Sequence, residues 1–221
     1  MPKQIGTIND NGYNAVITED DSGCVSYKAD ADIDADGANG QNGQPAAYRV
    51  DDQGSDYLAN AGMKLEDGKV VCAYDWASDI VILGDDNQPK VFADGVIASK
   101  TWYRDPSLPG DNPAAYVDAA VVPYVVVPPV IVQKTVGAVR GCKARVTLNG
   151  KSVNCVVADV GPATKIGEIS IAAALALGIP PSPRNGGRSS HDVLYEVWPG
   201  VAATGIVCHD GKTRNFVLQP A

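Results

Sequence analysis

Cationic and aromatic residues are scarce in this chain of 221 residues: 18 Lys and Arg stand against 26 Asp and Glu, and only 6% of positions are aromatic. The formal net charge of −8 leaves no electrostatic footprint for a phosphate backbone, which excludes nucleic acid as a partner and favours a neutral or polycationic one. Two histidines, and five cysteines (Cys24, Cys72, Cys142, Cys155, Cys208) without a Cys-x-x-Cys pair, argue against a structural zinc site. His191 and His209 have no Ser or Cys nucleophile pattern to serve, and Cys72 is a poor nucleophile for the same reason. No apolar run reaches the roughly eighteen residues of a membrane span, since AAVVPYVVVPPVIV is interrupted by three prolines. The start, MPKQIGTINDNGYNAV, lacks a basic segment followed by an apolar one, so no secretory signal is expected in it. An extracellular or exported protein would then have lost its signal or leave the cell by another route.

Glycine and proline are abundant, 23 and 15 residues, while charged residues make only 20% of the chain. That balance predicts a mainly β fold with few short helices and many turns. No repeat or low-complexity linker divides the chain, so one domain over 1–221 is expected, with a loop-rich acidic part over 1–62 and a barrel-like part over about 120–221. Within the first part, strands are expected only near Asn14 to Thr18 and Val25 to Lys28. From Lys69, the segments VVCAYDW, DIVILG and KVFADGVIASKTWYRD predict a meander of short strands. PYVVVPPVIV predicts a strand broken at Pro128-Pro129, suited to an edge, a bulge or a crossing connection. CKARVTLNGKSVNC predicts a hairpin turned at Asn149-Gly150, on which Cys142 and Cys155 either bond or are simply buried. A helix over roughly Ser170 to Leu177 follows, then strands VLYEVW and RNFVLQ. A strand, an Asp-x-Gly-Pro turn, a short helix and a strand are organised like the half-motif of a double-psi β-barrel, whose open groove suits a polymer.

Two segments concentrate carboxylates. DVGPATKIGEISIAAALALG places Asp159 after an apolar run and Glu168 before the alanine-rich helix, the minimum equipment for acid/base glycoside hydrolysis. On spacing alone, a turn aspartate and a helix-start glutamate are the favoured account of the pair. DADIDADG begins like a calcium loop at Asp32, Asp34, Asp36 and Gly37, but its twelfth position is Gly43 and no amphipathic helices flank it. Alternation predicts Asp32, Asp34 and Asp36 on one face and Ile33 and Ala35 on the other. Three like charges call for a cation: a metal, Lys or Arg, or an ammonium-bearing substrate, unless the loop is merely solvated. Trp76, Trp102, Trp198 and Tyr103 suit stacking on sugar rings, with core packing the expectation for Trp76 and Trp198.

The ordered set DIDADGA, AAYRVDDQGSDYLANAG, SKTWYRDPS, YVDAAVVPYVVVP and VADVGPATKIGEISIAAALALGI, from about Ala29 to Val197, resembles glycoside hydrolase family 75, the endo-chitosanases. The resemblance implies a double-psi β-barrel, no cofactor, and inverting hydrolysis of β-1,4-glucosamine linkages in a chitosan-like polymer by one Asp and one Glu. These fall on Asp159 and Glu168, with the acidic motif on Asp32 to Gly37. Glu168 is expected as general acid and Asp159 as base, with Asp32, Asp34 and Asp36 binding ammonium groups. Lys100, Trp102 and Asp118 also stand in the resembling segments and are expected to line the groove, an internal salt bridge being the alternative for Lys100 and Asp118. No metal, no membrane partner and a monomer are expected. Fungal members carry Cys where this chain has Ala35, and a Thr-Asn-Gly turn where it has Val160-Gly161-Pro162. A peptidoglycan-cleaving enzyme and a non-catalytic carbohydrate-binding or wall-loosening module are the other readings.

Overall fold

The computed structural model describes residues 1–220, and it is mainly β, with 41% strand and 13% helix. Its first strands are β1 (Lys3–Asp10), β2 (Tyr13–Glu19) and β3 (Val25–Asp34), followed by the short β4 (Tyr48–Arg49), β5 (Met63–Glu66) and β6 (Lys69–Cys72). Helix α1 (Ala77–Ile80), β7 (Val96–Ile97), β8 (Tyr124–Val127) and α2 (Pro129–Lys134) come next. Then follow β9 (Cys142–Leu148), β10 (Lys151–Val160), β11 (Glu168–Ser170), α3 (Ile171–Leu177), β12 (Arg188–Ala202), β13 (Ile206–Val207) and β14 (Thr213–Arg214). Strands β3, β11, β8, β10, β9 and β12 pair in that order, and β12 returns to β3, closing a six-stranded barrel with β1 and β2 as an extension. β3 with β11 and β8 with β10 run parallel; the other barrel pairs are antiparallel.

The interior follows from period-2 alternation. β9 sends Cys142, Ala144, Val146 and Leu148 inward, β3 sends Val25, Tyr27, Ala29 and Ala31, and β12 sends Val193, Tyr195 and Val197. Asn149 and Gly150 both take positive φ, 51° and 78°, as a two-residue hairpin turn with the right twist requires. Helix α3 is capped at its start by Ser170, whose hydroxyl accepts Ala173 N–H, and its Ala173, Ala174 and Leu177 join the interior.

A second core covers the outer face of β8 and β10. Ala35, Tyr48, Leu58, Met63, Ile97 and Val117, from the long segment between β3 and β8, pack on Tyr124, Val126, Val156 and Ala158. Every residue of β8 is therefore buried, its alternate side chains serving different cores. No helix among the described residues is long and apolar enough to cross a membrane.

Several expectations need correction. Residues 3–34 are largely strand rather than loop, and the barrel takes β3 from this part instead of lying wholly within 120–221. The expected meander from Lys69 is β6, α1, isolated bridges and β7, in a layer of short pieces fastened by side chains such as Asn39 and Ser99. Pro128 and Pro129 do not mark a sheet edge: β8 lies between β11 and β10, and the prolines end it and open α2, where a missing N–H is tolerated. RNFVLQ contributes only β14 with its Arg214. Cys142 and Cys155 are both free thiols; Cys155 stands opposite Ala144, so Cys142 is two residues out of register for a bond. Ile33 and Ala35 do not share a face: Ile33 packs on the barrel interior and Ala35 belongs to the second core.

Candidate active site

β-Sheet register brings the sequence-distant acids into one row. Glu168 on β11 pairs with Asp32 on β3 and with Val126 on β8, while Asp159 on β10 also pairs with Val126. Residues paired across a sheet point to the same side, so Asp32, Glu168 and Asp159 share the outer face of the barrel. The backbones of Glu168 and Asp159 are two strand spacings apart, roughly 9.5 Å. A bulge sets this up: Val157 pairs with Val125 and Asp159 with Val126, leaving Ala158 as the extra residue. Without it Asp159 would face Val127 and the apolar interior; the bulge keeps it on the outer side.

Asp34 and Asp36 close around Asp159. One carboxylate oxygen from each of the three lies within 4.8 Å of the others. Asp159 Oδ1 accepts N–H groups from Trp102 (3.1 Å) and Val160 (2.7 Å), Asp34 Oδ1 accepts Asp36 N–H (2.8 Å), and the Tyr48 hydroxyl lies 3.3 Å from Asp36 Oδ1 and 3.2 Å from Asp56 Oδ2. Among the described residues, no Lys, Arg or His makes an ion pair with the three. Two ionised carboxylates at this range repel by about 3 kcal/mol or more at an effective dielectric of about 20. Burial and neighbouring Asp34 and Asp159 hold Asp36 well above the ordinary carboxylate range, and burial with Asp34 does the same to Asp159, against the two N–H donors. Burial lifts Asp34 to about 6. Tyr48 has one hydroxyl hydrogen for these two carboxylates, so it serves only one of Asp36 and Asp56 at a time.

A second acidic group continues along the row. Burial first, then Asp34 and Asp32, raise Glu168 to about 8, while Lys165 pulls it back. Burial and the charges of Asp32 and Asp10 raise Asp30 to about 6. Lys165 Nζ sits 3.2 Å from Asp32 Oδ2, and Asp10 Oδ2 accepts Ile166 N–H, so the loop between the two candidate catalytic acids is tied down from both sides. Glycines at its ends leave the acids room. A Cβ at Gly161 would lie 2.9 Å from Glu168 Oε2, and one at Gly167, where φ is 95°, would lie 2.6 Å from Asp30 Oδ1.

Thus Asp32, Asp34, Asp36, Asp159 and Glu168 come together, and Trp102 joins through its backbone N–H while its ring packs under Arg140, 4.9 Å away. Lys100 turns elsewhere: its ammonium donates to Ser78 O (2.7 Å) and faces Asp79. Asp118 is 9% exposed and its Oδ1 accepts Ala120 N–H in a turn. Tyr103 packs edge-on to Phe216, Trp198 lies beneath Lys143 and Arg145, and Trp76, expected in the core, is 46% exposed. Sequence reasoning missed Asp10, Tyr48, Asp56, Tyr124 and Lys165. Tyr124 donates to Asp36 O and bonds Asp34, and its signal was only a tyrosine inside an apolar run.

The acid row can bind a cation, give a proton from Glu168 and take one at Asp159. Asp34, Asp36 and Asp159 supply the hard oxygen donors that a divalent metal or an ammonium group accepts. A scan against known protein families returns no match for this chain, and a search of curated proteins returns none either.

Proposed function

We propose that the chain is an inverting endo-glycosidase of chitosan-like, amino-sugar polymers, related to the endo-chitosanases of glycoside hydrolase family 75. The observation that carries the reading is Glu168 and Asp159 on either side of Val126, on one face, beside Asp34 and Asp36, with which no Lys, Arg or His among the described residues makes an ion pair. Glu168, protonated up to about pH 8, gives its proton to the glycosidic oxygen as the C1–O bond breaks. Asp159 takes a proton from a water whose oxygen bonds C1 from the opposite face, inverting the centre. Glu168 leaves the step ionised and Asp159 protonated, and solvent exchange restores both. Asp159 must be ionised to act, and a substrate ammonium beside Asp34 and Asp36 supplies the missing positive charge that lowers its pKa. The Trp102 and Val160 N–H groups favour the same anion. The two parallel strand pairs and the strand–turn–helix run from β10 to α3 support a double-psi arrangement of the barrel. We place the enzyme outside the cell, as a monomer.

Reducing-end release from chitosan, chitin and peptidoglycan, measured side by side, tests the reading. Glu168→Gln and Asp159→Asn should each lower chitosan hydrolysis by about 10²- to 10⁴-fold, the range for losing an acid or base. Near wild-type hydrolysis by both variants overturns it, and peptidoglycan as the preferred substrate would reassign the polymer.

A further inference from the structure

Beyond the acid row, the loop layer holds a pair of aromatic rings that serve neither core. Tyr74 and Trp76 are stacked with planes 7° apart and centroids 5.6 Å apart, and they are 60% and 46% exposed. Large aromatic rings ordinarily bury most of their surface, so two adjacent parallel ones left open to solvent call for an occupant. Their placement is fixed by the backbone. Ala73 and Tyr74 N–H donate to Gly62 O, Ala77 N–H donates to Tyr74 O, and the Trp76 ring lies against Gly62, where a Cβ would stand 2.9 Å from two ring carbons.

The pair is connected to the acid row through one short turn. Gly62 ends the turn Leu58–Ala61, which begins after Tyr57 and Asp56, and Asp56 is joined to Asp36 through the Tyr48 hydroxyl. Six residues separate Asp56 from Gly62, and at no more than about 3.5 Å per residue they keep the glycine within about 21 Å of it. A polymer lying along the Asp36 end of the row can extend toward the rings, whereas a trimer seated at Asp159 is expected to fall short of them. Exposed Asp75 and Asp79 flank the pair, Asp79 also facing Lys100, and Asp75 between the two rings suits an amino sugar, whose apolar ring face stacks on an aromatic while its ammonium meets a carboxylate.

From this geometry we infer that Tyr74 and Trp76 form a second binding site for the polymer, a stacking platform at the Asp36 end of the acid row. The inference rests on the amino-sugar reading proposed above. Binding is measured by calorimetry in a Glu168→Gln background, which keeps the polymer intact, using long-chain chitosan and a glucosamine trimer. Tyr74→Ala with Trp76→Ala should weaken chitosan binding about tenfold and leave trimer binding unchanged, as expected from losing about 1.4 kcal/mol of stacking. If the double variant melts at lower temperature, Tyr74→Ala alone decides, with about a threefold loss expected because Tyr74 is the more exposed ring. Unchanged chitosan affinity in a folded variant overturns the platform, as does a wild-type chain that binds no chitosan. A wild type that binds chitosan through these rings yet releases no reducing ends overturns the hydrolase and leaves the platform standing.

Discussion

Glu168 holds its proton to about pH 8 because it is buried among Asp34, Asp32 and Asp10, with Lys165 opposing them, whereas its ordinary value is 4.5. The folded chain therefore binds this proton more tightly than the unfolded chain. The stabilisation is fully present below about pH 4.5 and is lost as pH rises toward about 8. Asp34 and Asp30, each raised to about 6, act in the same direction over the lower part of that window. Thermal melting should thus show a Tm that falls steadily between about pH 5 and pH 8. Glu168→Gln removes the largest of these contributions, so its Tm should exceed that of the wild type at pH 8 and its slope should be flatter. Parallel slopes for the two proteins would mean that Glu168 is not the buried acid described. Glu168→Gln thereby trades activity for stability at alkaline pH, as strained functional groups often do.

At the scale of elements, the loop from Asp159 to Glu168 shows what sequence could and could not reveal. The hairpin β9–β10 was legible because Asn149-Gly150 has few alternatives to a tight turn, and α3 was legible from Ser170 and Gly178 at its ends. The spacing of Asp159 and Glu168 was equally plain. Their alignment was not, since it depends on β8 entering between β10 and β11 from a distant segment, and on the extra residue Ala158. Strand β2 was expected near Asn14 to Thr18, but its partner β1 escaped notice because an extension hairpin with one wet face carries polar residues at alternate positions, which reads as loop. The loop also separates stability from chemistry. Gly167→Ala forces a positive φ of 95° on a side chain 2.6 Å from Asp30, so a loss of about 1 to 3 kcal/mol is expected in denaturant unfolding. Gly161→Ala meets only the movable end of Glu168 and a methyl of Val126, so its unfolding midpoint should stay near wild type while kcat falls through a displaced acid. Equal stability losses in both variants would contradict this division.

At the scale of the whole molecule, a chain of net charge −8 gathers Asp34, Asp36 and Asp159 where, among the described residues, no Lys, Arg or His pairs with them, while Lys165 answers Asp32 at the other end of the row. The alternation in DADIDADG announced Asp32, Asp34 and Asp36 together, but Asp10, Asp56 and Asp159 reach them from three other segments, and no local pattern marks that convergence. A polycation is drawn by the long-range field and then held by contacts that exclude water, and salt distinguishes the two. Raising ionic strength from about 0.1 M to 1 M shortens the screening length from about 10 Å to 3 Å. Attraction at a distance should weaken, while the bound groups beside Asp34 and Asp159, shielded from solvent, should feel little change. KM for chitosan is accordingly expected to rise several-fold across this range, with kcat changing by less than about twofold. Acetylating the polymer removes the same charges from the substrate side, so acetylated chitosan should show a high KM at low salt and little further dependence on salt. A KM indifferent to both salt and acetylation would mean that the carboxylates meet something other than the amino groups of the polymer.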